Sequence, residues 1–479
     1  MFCLRRTPRV NPVVCAKQVF IQPHTVYNNP MHTKLSPPVV DFMQTIREHK
    51  FEVYVVGGAV RNMLLGTETT DWDFTTNATP EQIQHMFPES FYHNTYGTVT
   101  VKWPVGETEM LFEITPYRTE HSYTDSRRPD TVLWAQDVKD DLARRDFTMN
   151  AMAYDGKDIV DPFNGQQDVE AKLIRTVGDP DARFGEDALR LMRAIRFAAE
   201  LGFLIEPHTR DSITRNAALI SRISGERIRD EFLRIITAPH AAEGILFLRN
   251  SNILRFILPE LDACFAIPQK SPGRHHIYDV GTHLVMSLKH SQSKDPITRF
   301  ATLIHDIGKV RTFHKDPKTE MITFYNHEVV GTRQAQEIAD RFRLSNDQKD
   351  KLVRLVEHHQ FVVSEDMTDN AIRRFIRNVT KEYLEDMFDL RHADRLGGAA
   401  AETSWRTELF KKRVAELLIE PFTVKDLKID GNDVMEILQI KPSRQVGEIL
   451  DVLFVKVENK ELANERETLL NEIRSLKTP

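Results

Sequence analysis

At 479 residues the chain is too long for a single hydrophobic core, so several domains are expected. Its composition, with 41% hydrophobic and 28% charged residues, is that of a globular protein, and no run of about eighteen apolar residues suggests a membrane span. The formal net charge of −6 excludes a globally basic nucleic-acid binder, so any RNA contact must come from locally arranged Arg and Lys.

Residues 1–38 form a predicted leader with several basic residues but no acidic residue before Asp41. This composition is compatible with an organellar transit peptide, although its prolines argue against one long amphipathic helix and Met31 could be the true start of a bacterial protein. We therefore expect a disordered leader or a start assigned too far upstream. The favoured location is cytoplasmic, and the alternative is mitochondrial or otherwise organellar. The cysteines show neither a disulfide framework nor zinc-ligand spacing, which fits a reducing compartment; they are Cys3, Cys15 and Cys264.

The first predicted elements after the leader lie in Val53–Thr76, which reads VYVVGGAVRNMLLGTETTDWDFTT. A short β-prone run leads into the pair Gly57 and Gly58, and a helix follows the glycines. The run that contains Asp71 and Asp73 then alternates like a second strand. The stretch is therefore predicted to place a glycine turn at a helix start beside two acidic residues.

These residue types suit the binding of a nucleoside triphosphate. Two glycines before a helix let backbone N–H groups approach phosphates closely, and Arg61 can donate two parallel hydrogen bonds to phosphate oxygens. Side chains repeat every two residues along a strand, so Asp71 and Asp73 are expected on one face. Two such carboxylates can hold Mg²⁺ bridged to phosphate oxygens, which is the chemistry of nucleotidyl transfer. Either motif alone is weak, because glycine pairs are usually turns and acidic pairs are usually solvated.

In this order and spacing the two motifs resemble the head of class II tRNA nucleotidyltransferases, the CCA-adding enzymes, and of the related bacterial poly(A) polymerases. The family usually has Asp where this chain has Asn62. The resemblance implies an α+β fold, in which an N-terminal nucleotidyltransferase head of mixed sheet and helices precedes an all-α neck, body and tail. It also implies Mg²⁺ as cofactor and tRNA, CTP and ATP as partners, whereas no membrane partner is expected.

The remainder of the predicted head adds three candidate residues. Glu113 lies on a predicted strand, and the resemblance places a third acidic residue of the active site there; a solvated strand glutamate is the alternative. The block DDLARRDFTMNAMAYD matches the family's second signature. An arginine suits a triphosphate and an amide suits a sugar hydroxyl. By resemblance, Arg145 contacts the nucleotide and Asn150 lies near the ribose.

The third signature, RFGEDALRLMRAIRFAAELGF, is a predicted helix whose polar residues are spaced three apart; they are Asp187, Arg190, Arg193 and Arg196. A salt-bridged surface helix is the plain alternative. Cytosine and adenine each present an amino donor beside a ring-nitrogen acceptor, so an accepting Asp187 and a donating Arg190 would select these bases over uracil and guanine. The resemblance implies this role for the EDxxR block, and it matches Arg193 and Arg196 to further arginines of the nucleotide site.

A second set of ligand-type residues lies between residues 270 and 400. Imidazole and carboxylate groups from several helices suit a transition metal, or a metal pair that makes hydroxide at neutral pH. One His on a helix is more often structural, but this set has an HD dipeptide, His residues on both sides and a late Asp. It resembles an HD phosphohydrolase domain. The minimal ligand set is matched by His283, His305, Asp306 and Asp394, and the extra ligands of two-metal members are matched by His327 and His358.

These patterns divide the chain into five predicted segments. They are the leader at 1–38, the nucleotidyltransferase head at 39–165, the neck and RNA-binding helices at 166–269, the HD body at 270–400, and the C-terminal tRNA-binding helices at 401–479. The neck, body and tail are all predicted to be helical. A monomer and a homodimer are both compatible with the sequence.

The predicted function is template-independent addition of C and A to tRNA 3′ ends with release of pyrophosphate. The HD domain is expected to add hydrolysis of phosphomonoesters or 2′,3′-cyclic phosphodiesters, or to serve as scaffold only. A poly(A) polymerase, or an enzyme that adds only CC or only A, would share every motif, although the tail lacks the strongly basic character expected of the former. A phosphohydrolase with a vestigial head and a non-catalytic RNA-binding protein are disfavoured, because Asp71 and Asp73 are intact.

Overall fold

The computed structural model describes residues 35–92, 97–121, 131–270, 278–361, 363–398, 404–418, 424–458 and 461–476. Most of the predicted leader, with Cys3 and Cys15, lies outside these residues. None of the described helices combines the length and apolar character that crossing a lipid bilayer requires. The described chain consists of a mixed α/β head followed by helices, so the predicted α+β class is confirmed.

The head alternates short strands with short helices. Its elements are α1 (Pro37–Glu48), β1 (Val53–Val56), α2 (Gly58–Leu65), β2 (Asp73–Thr76), α3 (Pro80–Met86), β3 (Phe91–Tyr92), β4 (Val99–Val105), β5 (Thr108–Pro116), β6 (Arg118–His121), β7 (Thr131–Trp134), α4 (Val138–Ala143), β8 (Ala153–Tyr154), β9 (Ile159–Val160), α5 (Gly165–Glu170) and β10 (Leu173–Ile174). A 7-stranded sheet has the order β3-β4-β5-β2-β1-β8-β9. β2 and β5 run parallel while β1 and β4 are antiparallel to them, so the sheet is mixed as predicted.

Local sequence explains where α2 begins and ends, but it misplaces the start of β2. Gly57 precedes α2 with a φ of 71°, and Gly66 ends it in the left-handed conformation. β2 begins at Asp73, not at Asp71 as the alternation suggested. Asp73 pairs with Val56, the last residue of β1, and the chain then turns at Gly57. Asp71 consequently has no residue of β1 to pair with, and it lies in the segment that leads into the strand.

The remaining described elements are almost entirely helical. The neck comprises α6 (Pro180–Glu186), α7 (Leu189–Leu201), β11 (Leu204–Ile205), α8 (Pro207–Asn216), α9 (Gly225–Thr237), α10 (Ala241–Asn250), α11 (Leu254–Ile257) and α12 (Pro259–Cys264). The body comprises α13 (Val280–His290), α14 (Pro296–Ile304), α15 (Lys309–Thr312), β12 (His314–Lys315), β13 (Ile322–Thr323), α16 (His327–Arg341), α17 (Asn346–His358), α18 (Asp369–Val379) and α19 (Leu384–Gly397). α20 (Trp405–Leu417), α21 (Gly431–Leu438), α22 (Arg444–Glu458) and α23 (Arg466–Ser475) follow.

One large hydrophobic core runs through head, neck and body. It extends from Val39 to Leu417 and includes the ring of Phe410 on α20, which packs against α18. A second cluster, from Leu427 to Ile473, belongs to the last three helices. The boundary between the two hydrophobic cores therefore lies beyond residue 401. Residue 401 is where the sequence analysis placed the start of the C-terminal helices. Within the large core, α9 packs against both α7 of the neck and α14 of the body.

Candidate active site and candidate metal centre

Asp73 and Glu113 bring two carboxylates together in the head sheet. Asp73 begins β2 and pairs with Glu113 on the parallel strand β5, so both exposed side chains leave the same face. Partial desolvation, the charge of Asp71 and, more weakly, that of Glu113 raise the pKa of Asp73 to about 6. A divalent cation would relieve this repulsion. The oxygens of Asp71, Asp73 and Glu113 do not form one of the groups of ligand atoms within 4.8 Å of one another in the described residues, so a Mg²⁺ site made by all three stays a prediction.

The turn at Gly57 lies next to the carboxylate of Asp73. Its backbone angles, φ 71° and ψ −131°, are open to glycine but strained for other residues. A Cβ atom added to Gly57 would lie 3.0 Å from Nη1 of Arg145 and 3.9 Å from Oδ2 of Asp73. A Cβ on Gly58 would lie 3.5 Å from Nη2 of Arg61. The predicted phosphate and metal residues therefore meet at a turn that carries no side chain.

Arg61 and Asn150 form a hydrogen bond close to this turn. Nη1 of Arg61 donates to Oδ1 of Asn150 at 2.6 Å, and Nη2 donates to Oδ1 of Asn62 at 3.0 Å. Asn62 thus supplies an acceptor oxygen at the position where the family usually has Asp. Arg61 is buried, and burial lowers the pKa of its guanidinium. Its direct contact with a triphosphate stays a prediction, because both Nη atoms already have protein partners.

Arg145 is oriented by an acid that the sequence analysis missed. Nη2 of Arg145 donates to Oδ2 of Asp141 at 3.3 Å, while Nε of Arg144 donates to Oδ1 at 2.9 Å. Burial alone would raise the pKa of Asp141, but the two arginines outweigh burial and hold it below its usual value. The spacing of the acid three and four residues before two arginines at the end of a helix was the available signal.

Asp187 and Arg190 lie at the junction of α6 and α7. Oδ1 of Asp187 accepts a hydrogen bond from the backbone N–H of Leu189 at 3.0 Å, and both carboxylate oxygens contact Arg227 of α9. Arg190 donates to Glu186 and, through Nη2, to the carbonyl oxygen of Arg144 at 3.2 Å. The predicted base-reading pair is therefore adjacent to the end of α4, where Arg145 lies.

Arg193 and Arg196 are engaged with buried acids. Arg193 donates to Oδ2 of Asp146 through Nε at 2.8 Å and through Nη2 at 2.6 Å. Nε of Arg196 lies 2.7 Å from Oε2 of Glu231 on α9, and its guanidinium lies 4.2 Å from the ring centre of Phe197. Only 2% of Arg196 is exposed. In this state Arg196 therefore contributes to the packing of α7 against α9, and a direct role in nucleotide binding stays a prediction.

The body contains a buried cluster of six ligand-type side chains. Two groups, each with donor atoms within 4.8 Å of one another, are His283, His305 and Asp394, and Asp306, His327 and His359. Asp306 lies between the groups, since its Oδ2 is 3.4 Å from Nε2 of His305 and its Oδ1 is 3.2 Å from Nε2 of His327. A carboxylate in this position could bridge two metal ions.

The imidazoles of the cluster are arranged as metal ligands are. Nδ1 of His305, His327 and His359 donates to the backbone carbonyl oxygens of Thr302, Phe324 and Val356, respectively, at 2.7–2.8 Å. These hydrogen bonds leave each Nε2 lone pair directed toward the carboxylates, and a metal-bound histidine is commonly held by such a hydrogen bond from its other ring nitrogen. The donor set therefore fits one or two transition-metal ions.

The prediction of His358 as a ligand is wrong, because the structure brings its neighbour His359 into the cluster instead. α17 buries Leu352, Leu355 and Val356, and this spacing continues to position 359 on the same face. His358 lies about 100° further around the helix, is half-buried and has Glu357 as its neighbour at 3.9 Å. Nε2 of His359 lies 3.4 Å from Oδ1 of Asp306. The phase of the buried stripe would have identified the correct residue.

Three protein-family models match the chain in the order of its segments. A model of the poly(A) polymerase head domain matches residues 53–175. A model described as an RNA- and SrmB-binding site of polymerase A matches residues 202–265. A model of tRNA nucleotidyltransferase domain 2 matches residues 313–473. The first match contains the carboxylates, the glycine turn and Arg145.

Similar proteins of known name align with half or with most of the chain. The CCA-adding enzyme of Geobacillus sp. (strain WCH70) is 42% identical over 217 residues, which are 45% of this chain and 53% of that enzyme, so the chain spans about half the length of this relative. The A-adding tRNA nucleotidyltransferase of Deinococcus radiodurans is 33% identical over 414 residues, which are 83% of this chain and 90% of the relative. A crystal structure of the Bacillus stearothermophilus CCA-adding enzyme in complex with CTP has a TM-score of 0.67 and 27% identity, and covers 92% of this chain and 98% of that chain.

Proposed function

The chain belongs to the class II tRNA nucleotidyltransferase family, and we propose that it adds C and A nucleotides to tRNA 3′ ends from CTP and ATP with release of pyrophosphate. One observation carries the proposal: the Asp73–Glu113 carboxylate pair, the turn at Gly57 and the guanidinium of Arg145 meet at one place in the head. The resemblance of the fold to a CCA-adding enzyme bound to CTP supports the nucleotide class. A cytoplasmic location is part of the proposal.

In this proposal the triphosphate lies over the start of α2. Gly57 and Gly58 leave room for phosphate oxygens beside backbone N–H groups and the positive end of the helix. Arg145, ordered by its contact with Asp141, donates hydrogen bonds to the phosphates and stabilises the charge on the departing pyrophosphate. Asn150, which accepts a hydrogen bond from Arg61, is proposed to contact the ribose of the same nucleotide.

The three carboxylates would hold Mg²⁺ beside the triphosphate. When bound, Mg²⁺ neutralises phosphate charge and favours ionisation of the attacking 3′ hydroxyl of the tRNA. Asp73 and Glu113 project from paired positions on parallel strands, so the sheet holds their separation fixed. Asp71 contributes its carboxylate from the segment before the strand. The bond formed joins the tRNA 3′ oxygen to the α-phosphorus, and the bond broken releases pyrophosphate.

Purified protein is to be incubated with Mg²⁺ and tRNA that ends at the discriminator base, at C or at CC, with CTP and ATP given separately and together. We expect growth by C, C and A and then a stop. A variant with Asp71→Ala and Asp73→Ala is expected to add nothing, and Glu113→Gln is expected to lower the rate strongly. Glu109→Gln is the matched control, because Glu109 is exposed on the same strand and four residues before Glu113.

Each other pattern of products selects a different function. Addition of A alone to ends that already carry CC would indicate an A-adding enzyme, an alternative that the relative from Deinococcus radiodurans favours. Addition of C alone would indicate a CC-adding enzyme, and long A tracts would indicate a poly(A) polymerase. No incorporation on any tRNA end would contradict the proposal.

We propose a second activity for the body, metal-dependent hydrolysis of phosphate esters in an HD domain. The six convergent ligand-type side chains, Asp306 among them, favour this activity over a scaffold role. Lys309 lies next to the predicted ligands, with its Nζ 2.5 Å from Oδ2 of Asp306 and 2.8 Å from Oε1 of Gln269, and in this proposal its ammonium contacts the phosphate ester.

Hydrolysis of 2′,3′-cyclic AMP and of p-nitrophenyl phosphate, measured with added Mn²⁺, Ni²⁺ or Co²⁺, tests the second activity. A variant with His305→Ala and Asp306→Ala is expected to hydrolyse neither compound. His358→Ala is the matched control, because His358 lies beside the cluster without contributing a donor to it. A wild-type protein that binds metal but hydrolyses neither compound would leave the body as a scaffold and contradict this second proposal.

A further inference from the structure

We propose that Arg227 of the neck helix α9 is a positioning residue that fixes the orientation of the Asp187 carboxylate and thereby sets the selection of cytosine and adenine over uracil and guanine. This inference rests on the proposed nucleotidyltransferase function. It adds to that function a specificity-determining residue from a different element than the base-reading pair itself.

The contact between Arg227 and Asp187 is bidentate. Nη2 of Arg227 donates to Oδ2 of Asp187 at 2.7 Å, and Nη1 donates to Oδ1 at 3.3 Å. The partners are 40 positions apart in the sequence and come from different helices, so the contact depends on the packing of α9 against α7. Both side chains are largely shielded, with 26% of Arg227 and 17% of Asp187 exposed. A paired fork of this kind holds a carboxylate more firmly than a single solvated ion pair does.

The two carboxylate oxygens of Asp187 accept different numbers of hydrogen bonds. Oδ1 accepts from the backbone N–H of Leu189 at 3.0 Å and from Nη1 of Arg227, which accounts for both of its lone pairs. Within the part of the chain that the structure describes, Oδ2 accepts one hydrogen bond, from Nη2 of Arg227, so it retains one lone pair. The arrangement therefore presents a base with one acceptor in one direction.

A carboxylate oxygen held in one orientation favours bases that present a hydrogen-bond donor to it and disfavours bases that present an acceptor. Cytosine N4 and adenine N6 carry amino donors, whereas uracil O4 and guanine O6 are acceptors that would face the lone pair of Oδ2. Leaving an acceptor against a carboxylate costs more than losing one favourable contact, because both groups stay without a donor. A carboxylate free to rotate would relieve that conflict and accept more bases.

The same helix also holds neighbouring parts of the nucleotide site. Glu231, one turn after Arg227 on α9, lies 2.7 Å from Nε of Arg196 and 3.9 Å from Nη1 of Arg193. One face of α9 is thus aligned along the polar stripe of α7. Arg227 is the member of this face that contacts the base-reading carboxylate.

The test compares nucleotide selection in Arg227→Ala, Arg227→Lys and the wild type, by kcat and KM for CTP and UTP on tRNA that ends at the discriminator base. Equilibrium binding of CTP and UTP is measured on the same proteins. We expect Arg227→Ala to lose about ten- to a hundredfold in the preference for CTP over UTP, mainly through KM. Arg227→Lys, which keeps the charge but not the fork, is expected to recover CTP affinity and only part of the preference.

Arg229→Ala is the matched control, because Arg229 lies on the same helix but donates to the backbone of Arg343 in the body. We expect its CTP preference to equal that of the wild type. An unchanged preference in Arg227→Ala, or an equal loss for CTP and UTP accompanied by a lower melting temperature, would overturn the inference. The binding measurement requires no transfer, so it decides the role of Arg227 even if incorporation fails and the proposed function with it.

Discussion

The arginines of the nucleotide site are ordered by acids that lie behind them. Arg145 contacts Asp141, and Arg193 contacts Asp146. Burial alone would raise the pKa of Asp146, but the charge of Arg193 outweighs it and holds this pKa below its usual value. An arginine that is already ordered loses less conformational entropy when it meets a phosphate. The buried acids therefore support the proposed binding site, although they would not touch the nucleotide.

Gly57→Ala is expected to abolish most nucleotide addition. The new Cβ would lie 3.0 Å from Nη1 of Arg145 on a backbone with φ 71° and ψ −131°, so both the turn and the guanidinium must move. Strain of this kind costs about 1–3 kcal/mol, which thermal unfolding would detect.

Gly66→Ala is the control for this change, because Gly66 also has a positive φ, 68°, but has no atom within 4 Å of the added Cβ. It should lose stability by about 1 kcal/mol and keep its rate of CTP incorporation. Equal rates in the two variants would show that room at the turn does not matter for activity.

Metal binding in the head should weaken as the pH falls through about 6, the pKa of Asp73. Below that pH the carboxyl is protonated and must lose its proton to bind a cation, so affinity is expected to fall about tenfold per pH unit, whereas it is level above that range. Electron paramagnetic resonance of Mn²⁺ would measure this in a His305→Ala, Asp306→Ala background that lacks the body cluster. An affinity that is constant between about pH 5 and 7 would place the cation away from Asp73.

At the scale of elements, the sequence pattern identified the features that depend on a few neighbouring residues. It missed the features that depend on the packing of one element against another. The order strand, glycine pair, helix and acidic strand was predictable, because each signal lies within a few residues. The start of β2 at Asp73 was not, since it depends on where β1 ends. Glu231 was missed because its contact with Arg196 exists only once α9 packs on α7.

The same distinction explains His359. The HD resemblance pointed to His358, and the phase of α17 selects the next residue instead. We expect His359→Ala to lower the metal content of the body below that of the wild type, measured by mass spectrometry of the native protein. His358→Ala should retain the wild-type content. A loss of metal in His358→Ala alone would show that the helix is rotated when metal is bound.

At the scale of the whole molecule, the two candidate sites use different residues on different elements. Asp71→Ala with Asp73→Ala is therefore expected to abolish nucleotide addition and leave hydrolysis of 2′,3′-cyclic AMP within about twofold of the wild type. His283→Ala should do the reverse. Assay of both reactions on each variant, with melting temperatures alongside, checks this independence. Loss of both reactions in a variant that melts normally would mean that the sites share a step.

The two candidate sites are expected to act independently, but the head, neck and body are not interchangeable between proteins. The helix α9 shows why. One face of this helix carries Arg227 and Glu231 to the proposed nucleotide site, where they contact Asp187 and Arg196. Its Phe232 ring lies 5.2 Å from the ring centre of Phe300 and 5.3 Å from that of Phe342, both in the body. A recombination event that exchanged heads between relatives would have to bring a matching α9, and α9 would have to match the body it enters. We therefore expect such genes to be inherited across this junction as one unit, while the last three helices, with their own core, are free to diverge.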